Sequence, residues 1–261
     1  MMILPEAISL RIGDRLLLPQ RIGMSGAQVW SCDDLVLKIE APDRESENNL
    51  TMLRWLQGKV PVPEVEAAEI FHGKRYLLMK RLPGEMACGE IYLENPELLV
   101  KLLAQGLRML WSVDPMECPC DQRPQKKLEN ARYQVEQGLY DLSNVDPGTF
   151  GPGGFQSPED LLQWLEENIP PTDPVLSHGD YCLPNVFFQA DRVSGFLDLG
   201  RSGIADRYAD IALCWRSLRD NFNGSYGYCD PSFDPDSLFR ELGIDPDWEK
   251  IRYYLLMDEL F

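Results

Sequence analysis

The sequence predicts an α+β protein whose strands come first and whose helices follow. Three observations carry this expectation. Up to residue 80, apolar residues fall in short runs separated by Gly, Asp and Ser, as half-buried strands require. Beyond Arg81-Leu82-Pro83-Gly84 they recur at helical spacing behind Asn, Ser and Pro start signals. Strands grouped ahead of helices, rather than alternating with them, exclude a parallel α/β sheet. The expected organisation is a strand-rich lobe over 1–80, a hinge at 81–84 and a mainly helical lobe over 85–261.

Within the first lobe, short strands are expected at 8–12, 15–18, 28–31 and 35–39. Residues 44–57 read as a helix, because Leu50, Leu53 and Leu56 fall at i, i+3 and i+6 with Trp55 beside them. Lys59-Val60-Pro61-Val62-Pro63 ends it. Strands at 65–71 and 75–80 follow, joined by the turn His72-Gly73-Lys74. In the second lobe Asn95-Pro96 opens a helix through 111, and Ser157-Pro158 opens one over 161–168. Between them 146–154 is rich in Pro and Gly and reads as a mobile loop. A hairpin is expected from 186–189 and 193–197, with its turn at Ala190-Asp191-Arg192. Helices over 206–221 and 246–260 complete the chain.

Hydrophobic residues at 44% and charged residues at 26% place the chain among globular proteins. The net charge of −17 argues against nucleic acid, whose phosphates need clustered Lys and Arg. It favours a cationic partner, although excess acid also serves solubility. Seven cysteines form no CxxC pair, which argues against a disulfide framework and a zinc site. Cys182 reads as a reduced thiol. The first 18 residues are broken by Pro5, Glu6, Arg11, Asp14 and Arg15, so no signal peptide is expected there. Nor is a membrane span expected, since no apolar stretch is long enough. A reducing cytoplasm is the expected location.

Two strings concentrate the chemistry: His178-Gly179-Asp180-Tyr181-Cys182-Leu183-Pro184-Asn185 and Asp198-Leu199-Gly200. Phosphoryl transfer from ATP needs a carboxylate to accept the proton of the attacking hydroxyl. It also needs oxygen ligands to hold magnesium against the phosphates. Asp180 suits the first task, and Asn185 and Asp198 the second. A hairpin between the last two could bring them close enough to share one cation, with Gly200 allowing a sharp turn behind it. Gly23-Met24-Ser25-Gly26-Ala27 sits between two strand segments as a phosphate-covering turn. Lys38 alternates with apolar neighbours on a strand, as a phosphate-binding lysine should.

In this order of motifs the chain resembles the aminoglycoside phosphotransferases, in their bacterial 3′-phosphotransferase branch within the protein-kinase-like superfamily. The likeness spans essentially the whole chain and is tightest over 58–63, 177–185, 194–220, 243–250 and 258–261. It implies a two-lobe protein-kinase-like fold, with an antiparallel sheet and one helix in the N-terminal lobe and a mainly helical C-terminal lobe. It implies ATP as co-substrate, Mg2+ as metal, Asp180 as base, and Asn185 and Asp198 as metal ligands. Gly23, Met24, Ser25 and Lys38 would meet the phosphates, and Lys80 and Leu82 the adenine edge. Arg201, Asp220, Asp258, Glu259 and the Phe261 carboxylate would line a pocket for a cationic aminoglycoside, in a monomer or dimer.

Three positions depart from the family pattern. The glutamate that usually pairs with the strand lysine is replaced by Asn49, leaving Glu45 or Glu47 to substitute. The loop over 147–154 lacks the usual carboxylates, and Val36 stands where an aromatic often covers adenine. A protein kinase would need an activation segment, whereas 201–206 leads almost directly into the next helix. A kinase for another small hydroxylated amine, choline- or macrolide-like, is the alternative. A non-catalytic nucleotide- or drug-binding protein is a further one.

Overall fold

The computed structural model describes residues 3–20, 27–142 and 145–261. In chain order the first elements are α1 (Glu6–Ile12), β1 (Leu18–Gln20), β2 (Gln28–Cys32), β3 (Leu35–Glu40), α2 (Arg44–Leu56), β4 (Val65–Phe71) and β5 (Lys74–Lys80). Next come β6 (Glu85–Met86), α3 (Glu90–Leu93), α4 (Pro96–Trp111), α5 (Pro124–Gln137), α6 (Pro158–Glu167) and β7 (Pro174–Ser177). The rest are β8 (Val186–Gln189), β9 (Arg192–Phe196), β10 (Gly203–Asp206), α7 (Arg207–Phe222), α8 (Ser237–Leu242) and α9 (Trp248–Asp258). Two compact units result, one of 1–106 with 183–202 and one of 107–182 with 203–261.

The first unit holds an antiparallel sheet in the order β1-β2-β3-β5-β4. Strand β3 alternates as its pattern requires: Leu35, Leu37 and Ile39 are buried, while Val36, Lys38 and Glu40 share the other face. Segment 8–12 is helix α1, not the expected strand. Ile8 and Ile12 satisfy both a period of two and an i, i+4 stripe. The helix wins because the pair buries against Leu35, Leu37 and Ile39, while Leu10 points out, 75% exposed. Burying Ile8 completely is worth roughly 1.5–3 kcal/mol. The strand expected at 15–18 lies later, at Leu18–Gln20.

Helix α2 starts where Asp43 caps it, its carboxylate accepting the Ser46 N–H at 2.8 Å. It buries Leu50, Met52, Leu53 and Leu56, and packs against the 3-10 turn Leu199–Arg201. A small sheet β6-β8-β9 completes this unit. Gly84 is required beside it. Its φ is +88°, and a Cβ there would lie 1.9 Å from the Phe188 carbonyl oxygen.

In the second unit β7 pairs antiparallel with β10, and α7 packs on α9; Ile211 and Leu218 of the one helix and Ile251 and Met257 of the other are buried. Helices α5 and α6 pack together, and α6 also meets α9. Helix α5 was not among the expected elements, because only Leu128, Ala131 and Val135 mark its apolar stripe. Its ends carry the readable signals, Pro124 in the first turn and Gly138 as a left-handed C-cap. No helix among the described residues is long and apolar enough to cross a membrane.

Candidate active site

Hairpin β8–β9 organises the metal-ligand candidates of the first unit. Val186 pairs with Phe196, and the Leu197 N–H donates to the Asn185 carbonyl at 2.8 Å. Antiparallel pairing thus returns the chain so that Asn185 and Asp198 flank one end of the hairpin. Asn185 is buried, while the Asp198 side chain is about half exposed. Both offer oxygen, the donor that magnesium prefers, and two protein ligands are its usual complement. Among the described residues no cluster of three or more His, Cys, Asp or Glu side chains could hold a metal alone. The residue with left-handed backbone is Asp198 itself, at φ 52° and ψ 60°. Gly200 serves a close approach instead, since a Cβ there would sit 3.0 Å from the Glu45 carbonyl oxygen.

Lys38 reaches this turn from β3. Its Nζ donates to Asp198 Oδ1 at 2.7 Å and pairs with Glu40 Oε2 at 3.0 Å. Burial works against the ammonium, but the Asp198 and Glu40 carboxylates outweigh it and hold the Lys38 pKa above its usual value. Burial pushes Glu40 up, with Lys38 opposing. Neither Glu45 nor Glu47 takes the lysine. Glu45 pairs with Arg201 at 2.9 Å, and Glu47 pairs with Arg75. The vacated glutamate position, Asn49, accepts the Leu199 N–H at 3.0 Å, and Asn48 donates to the Gly200 and Ser202 carbonyls at 2.8 and 2.9 Å.

At the end of the strand-rich segment, the Lys80 N–H donates to the Glu64 carbonyl, and its ammonium meets Asp34 at 3.1 Å and Glu66 at 3.6 Å. Leu82 is buried, with its side chain filling the space a Cβ on Gly195 would occupy. Gly23, Met24 and Ser25 lie outside the described residues.

In the second unit, Asp180 follows β7 on a tight turn with Gly179 at φ +80°. Asp210, fully buried on α7, holds that turn. Its carboxylate accepts the His178 N–H at 2.8 Å, the Gly179 N–H at 2.9 Å and the Ser177 hydroxyl at 2.9 Å. Burial raises the Asp210 pKa, opposed by His178 and these donors. Asp180 is half-buried; its N–H donates to His178 Nδ1 at 3.3 Å, and its carbonyl accepts the Cys182 N–H at 2.9 Å. Asp210 had no sequence signal of its own, because it lies far downstream in a helix.

A second constellation of this unit lies at the end of α9. Arg216 pairs with Asp258 and stands 3.8 Å from Glu259. Arg219 pairs with Asp220 at 2.7 Å and with Asp146 at 3.3 Å. The Asp146 N–H donates to both Glu259 oxygens, at 3.1 and 3.2 Å. Burial pushes Glu259 up to about 7, against the Asp146 N–H and Arg216. A cavity of about 300 Å³ opens here, lined by Asp146, Arg219 and Glu259 and by Trp215, Trp248 and Arg252. Asp146, one residue before the loop lacking acid, was not singled out in the sequence. Phe261 places its ring 5.2 Å from Lys127 Nζ, whereas Arg201 belongs to the first unit.

Comparison with known proteins gives a consistent answer. A model of the phosphotransferase enzyme family matches residues 23–254. An aminoglycoside 3′-phosphotransferase of Niallia circulans is 38% identical over 268 aligned residues, covering 98% of this chain and 97% of that protein. One from Enterococcus faecalis is 37% identical, covering 92% and 91%. Among solved structures, an aminoglycoside-3′-phosphotransferase of type VIII superposes with a TM-score of 0.82 at 28% identity, covering 98% and 97%. A Streptomyces rimosus aminoglycoside phosphotransferase, solved with ADP and streptomycin, shares the fold with a TM-score of 0.80 at 24% identity, covering 97% and 96%.

Proposed function

The chain belongs to the phosphotransferase enzyme family, as a kinase-type transferase with aminoglycoside 3′-phosphotransferases for relatives, and we propose that it phosphorylates aminoglycoside antibiotics. The donor is the γ-phosphate of ATP, and the acceptor is the 3′-hydroxyl of drugs such as kanamycin or neomycin. Modification of the drug in the cytoplasm would confer resistance.

The observation that supports this most is the hairpin end carrying Asn185 and Asp198, with Lys38 2.7 Å from the latter. An ammonium beside one carboxylate, with an amide at the same end of the hairpin, suits a magnesium triphosphate. Bound there, magnesium would neutralise charge on the phosphates. Lys38 would move from Asp198 to the α- and β-phosphates, leaving the carboxylate for metal. Gly23, Met24 and Ser25 would cover the triphosphate, and the backbone of Lys80 and Leu82 would meet adenine. Asp180 would accept the proton of the attacking hydroxyl, on a turn that the Asp210 hydrogen bonds keep in one geometry. In this reading 1–80 is the nucleotide-binding lobe, 81–84 the hinge and 85–261 the catalytic lobe.

For the acceptor, the support is charge. Asp146, Asp220, Asp258 and Glu259 gather around Arg216 and Arg219, with Arg252 also lining the cavity, so the described carboxylates outnumber the described guanidinium groups there. Ammonium groups of the drug would supply the missing positive charge and draw Glu259 into its ionised form. Arg201 and Phe261 complete the proposed drug-contact set. ADP release with kanamycin, neomycin, a macrolide and choline tests this, with the phosphate position in the product read by NMR. Turnover of kanamycin at the 3′ position is expected. Turnover of choline or the macrolide alone would reassign the acceptor, and no turnover with any of them would reject the activity.

A further inference from the structure

Helix α2 reaches the turn behind Asp198 through two consecutive amides. Asn49 is buried, and its Oδ1 accepts the Leu199 N–H at 3.0 Å. Asn48 Nδ2 donates to the Gly200 carbonyl at 2.8 Å and to the Ser202 carbonyl at 2.9 Å. Successive side chains leave a helix about 100° apart, so both can reach one turn only if that turn wraps the helix. Gly200 makes this possible, since a Cβ would lie 3.0 Å from the Glu45 carbonyl oxygen.

The residue so enclosed has left-handed backbone, φ 52° and ψ 60° at Asp198. Such a conformation in a non-glycine residue persists where its surroundings over-determine it. Four side-chain hydrogen bonds from α2 fall on the residues just after it, those of Asn48 and Asn49 and that of Glu45 with Arg201 Nε at 2.9 Å, and none of the four involves the Asp198 carboxylate. On the other side of the turn, Lys38 pairs with Asp198 and with Glu40, its neighbour on β3.

We propose that Asn49, assisted by Asn48, is a positioning residue. It fixes the Asp198 carboxylate for the magnesium nucleotide by holding the Leu199 N–H, and so couples α2 to metal binding without touching metal or phosphate. This rests on the reading of Asp198 as a metal ligand.

Calorimetry with a non-hydrolysable ATP analogue, with and without magnesium, tests it on the full chain. Asn49→Ala should weaken binding of the magnesium complex roughly tenfold or more, the scale of one buried hydrogen bond left unmade. Metal-free analogue should bind within about twofold of wild type, because its contacts do not pass through Asp198. Asn49→Asp keeps an acceptor oxygen and should recover most of the loss. Asn48→Ala should weaken the magnesium complex in the same selective way, by less. The inference is overturned if Asn49→Ala binds the magnesium complex as wild type does, or weakens both forms equally. Failure of Asn49→Asp to improve on alanine would overturn it too. If Asn49→Ala yields no folded protein, the absence of a magnesium-selective loss in Asn48→Ala overturns it. Wild type whose nucleotide affinity ignores magnesium would instead overturn the metal-site reading, and this inference with it.

Discussion

Replacing Glu259 by Gln should move stability and drug affinity in opposite directions. Glu259 has a pKa of about 7 in the folded chain, raised by burial. An unfolded glutamate titrates near 4.3. Because the folded value is the higher one, the folded state holds the extra proton between these limits. The stability this contributes is full below about pH 4 and is lost as pH rises through 7. Across that window the loss is roughly 4 kcal/mol. Gln keeps an oxygen for the Asp146 N–H but never ionises. Glu259→Gln should therefore melt about 2 °C above wild type near pH 5 and about 7 °C above it near pH 8. Its KM for kanamycin should nevertheless rise about tenfold or more, since a hydrogen bond between charged groups is worth about 1.5–3 kcal/mol. The ATP KM should stay within a factor of a few. Differential scanning calorimetry from pH 5 to 8.5 and steady-state kinetics read both effects. Binding of kanamycin near pH 6.5 should also release protons from wild type and fewer from the variant, as titrations in two buffers would show. Parallel melting curves across the pH range would refute the burial of an ionisable Glu259. An unchanged kanamycin KM would refute its place in the drug pocket.

Asp180→Ala should lower kanamycin turnover by about 10²–10⁴ with little change in magnesium-nucleotide affinity; near-normal turnover in folded protein would remove Asp180 from the chemistry. Asp198→Ala should abolish the magnesium dependence of nucleotide binding, which calorimetry checks directly, and equal affinity would reject it as a ligand. Asp210→Ala strands three buried donors and should cost about 3 kcal/mol or more in urea unfolding; a loss under about 1 kcal/mol would show that the turn does not depend on it. Added salt should raise the kanamycin KM more than the ATP KM, because exposed parts of a carboxylate pocket are screened over about 8–10 Å.

Local chemistry was legible where it lies within a few residues. The string from His178 to Asn185, the Asp198 turn and the alternation around Lys38 all announce themselves at short range. Glu40 was readable in principle, two residues from Lys38 on the same strand face, whereas Glu45 and Glu47 of α2, the expected partners, pair with Arg201 and Arg75. Asp210 and Asn48 could not be read, since each acts on a segment more than thirty residues away in the chain. Helix α1 was misread because Ile8 and Ile12 fit two periodicities, and only burial against Leu35 and Leu37 decides between them. Asp146 was missed by one residue, at the edge of a loop judged by its glycines and prolines.

The first unit is discontinuous: 1–106 lacks its final piece until 183–202 has been made. Translation runs at about 5–20 residues per second, so the chain from 107 to 202 takes on the order of 5–20 s to synthesise. During that interval the sheet β1-β2-β3-β5-β4 has left the ribosome without β8, β9 or the turn that packs on α2. Lys38 has no Asp198 to meet, and the amides of Asn48 and Asn49 face no carbonyl or N–H of that turn. The nascent unit therefore waits with the face of α2 that receives this turn uncovered. Chaperone demand and proteolytic risk should concentrate in those seconds, ahead of any release from the ribosome.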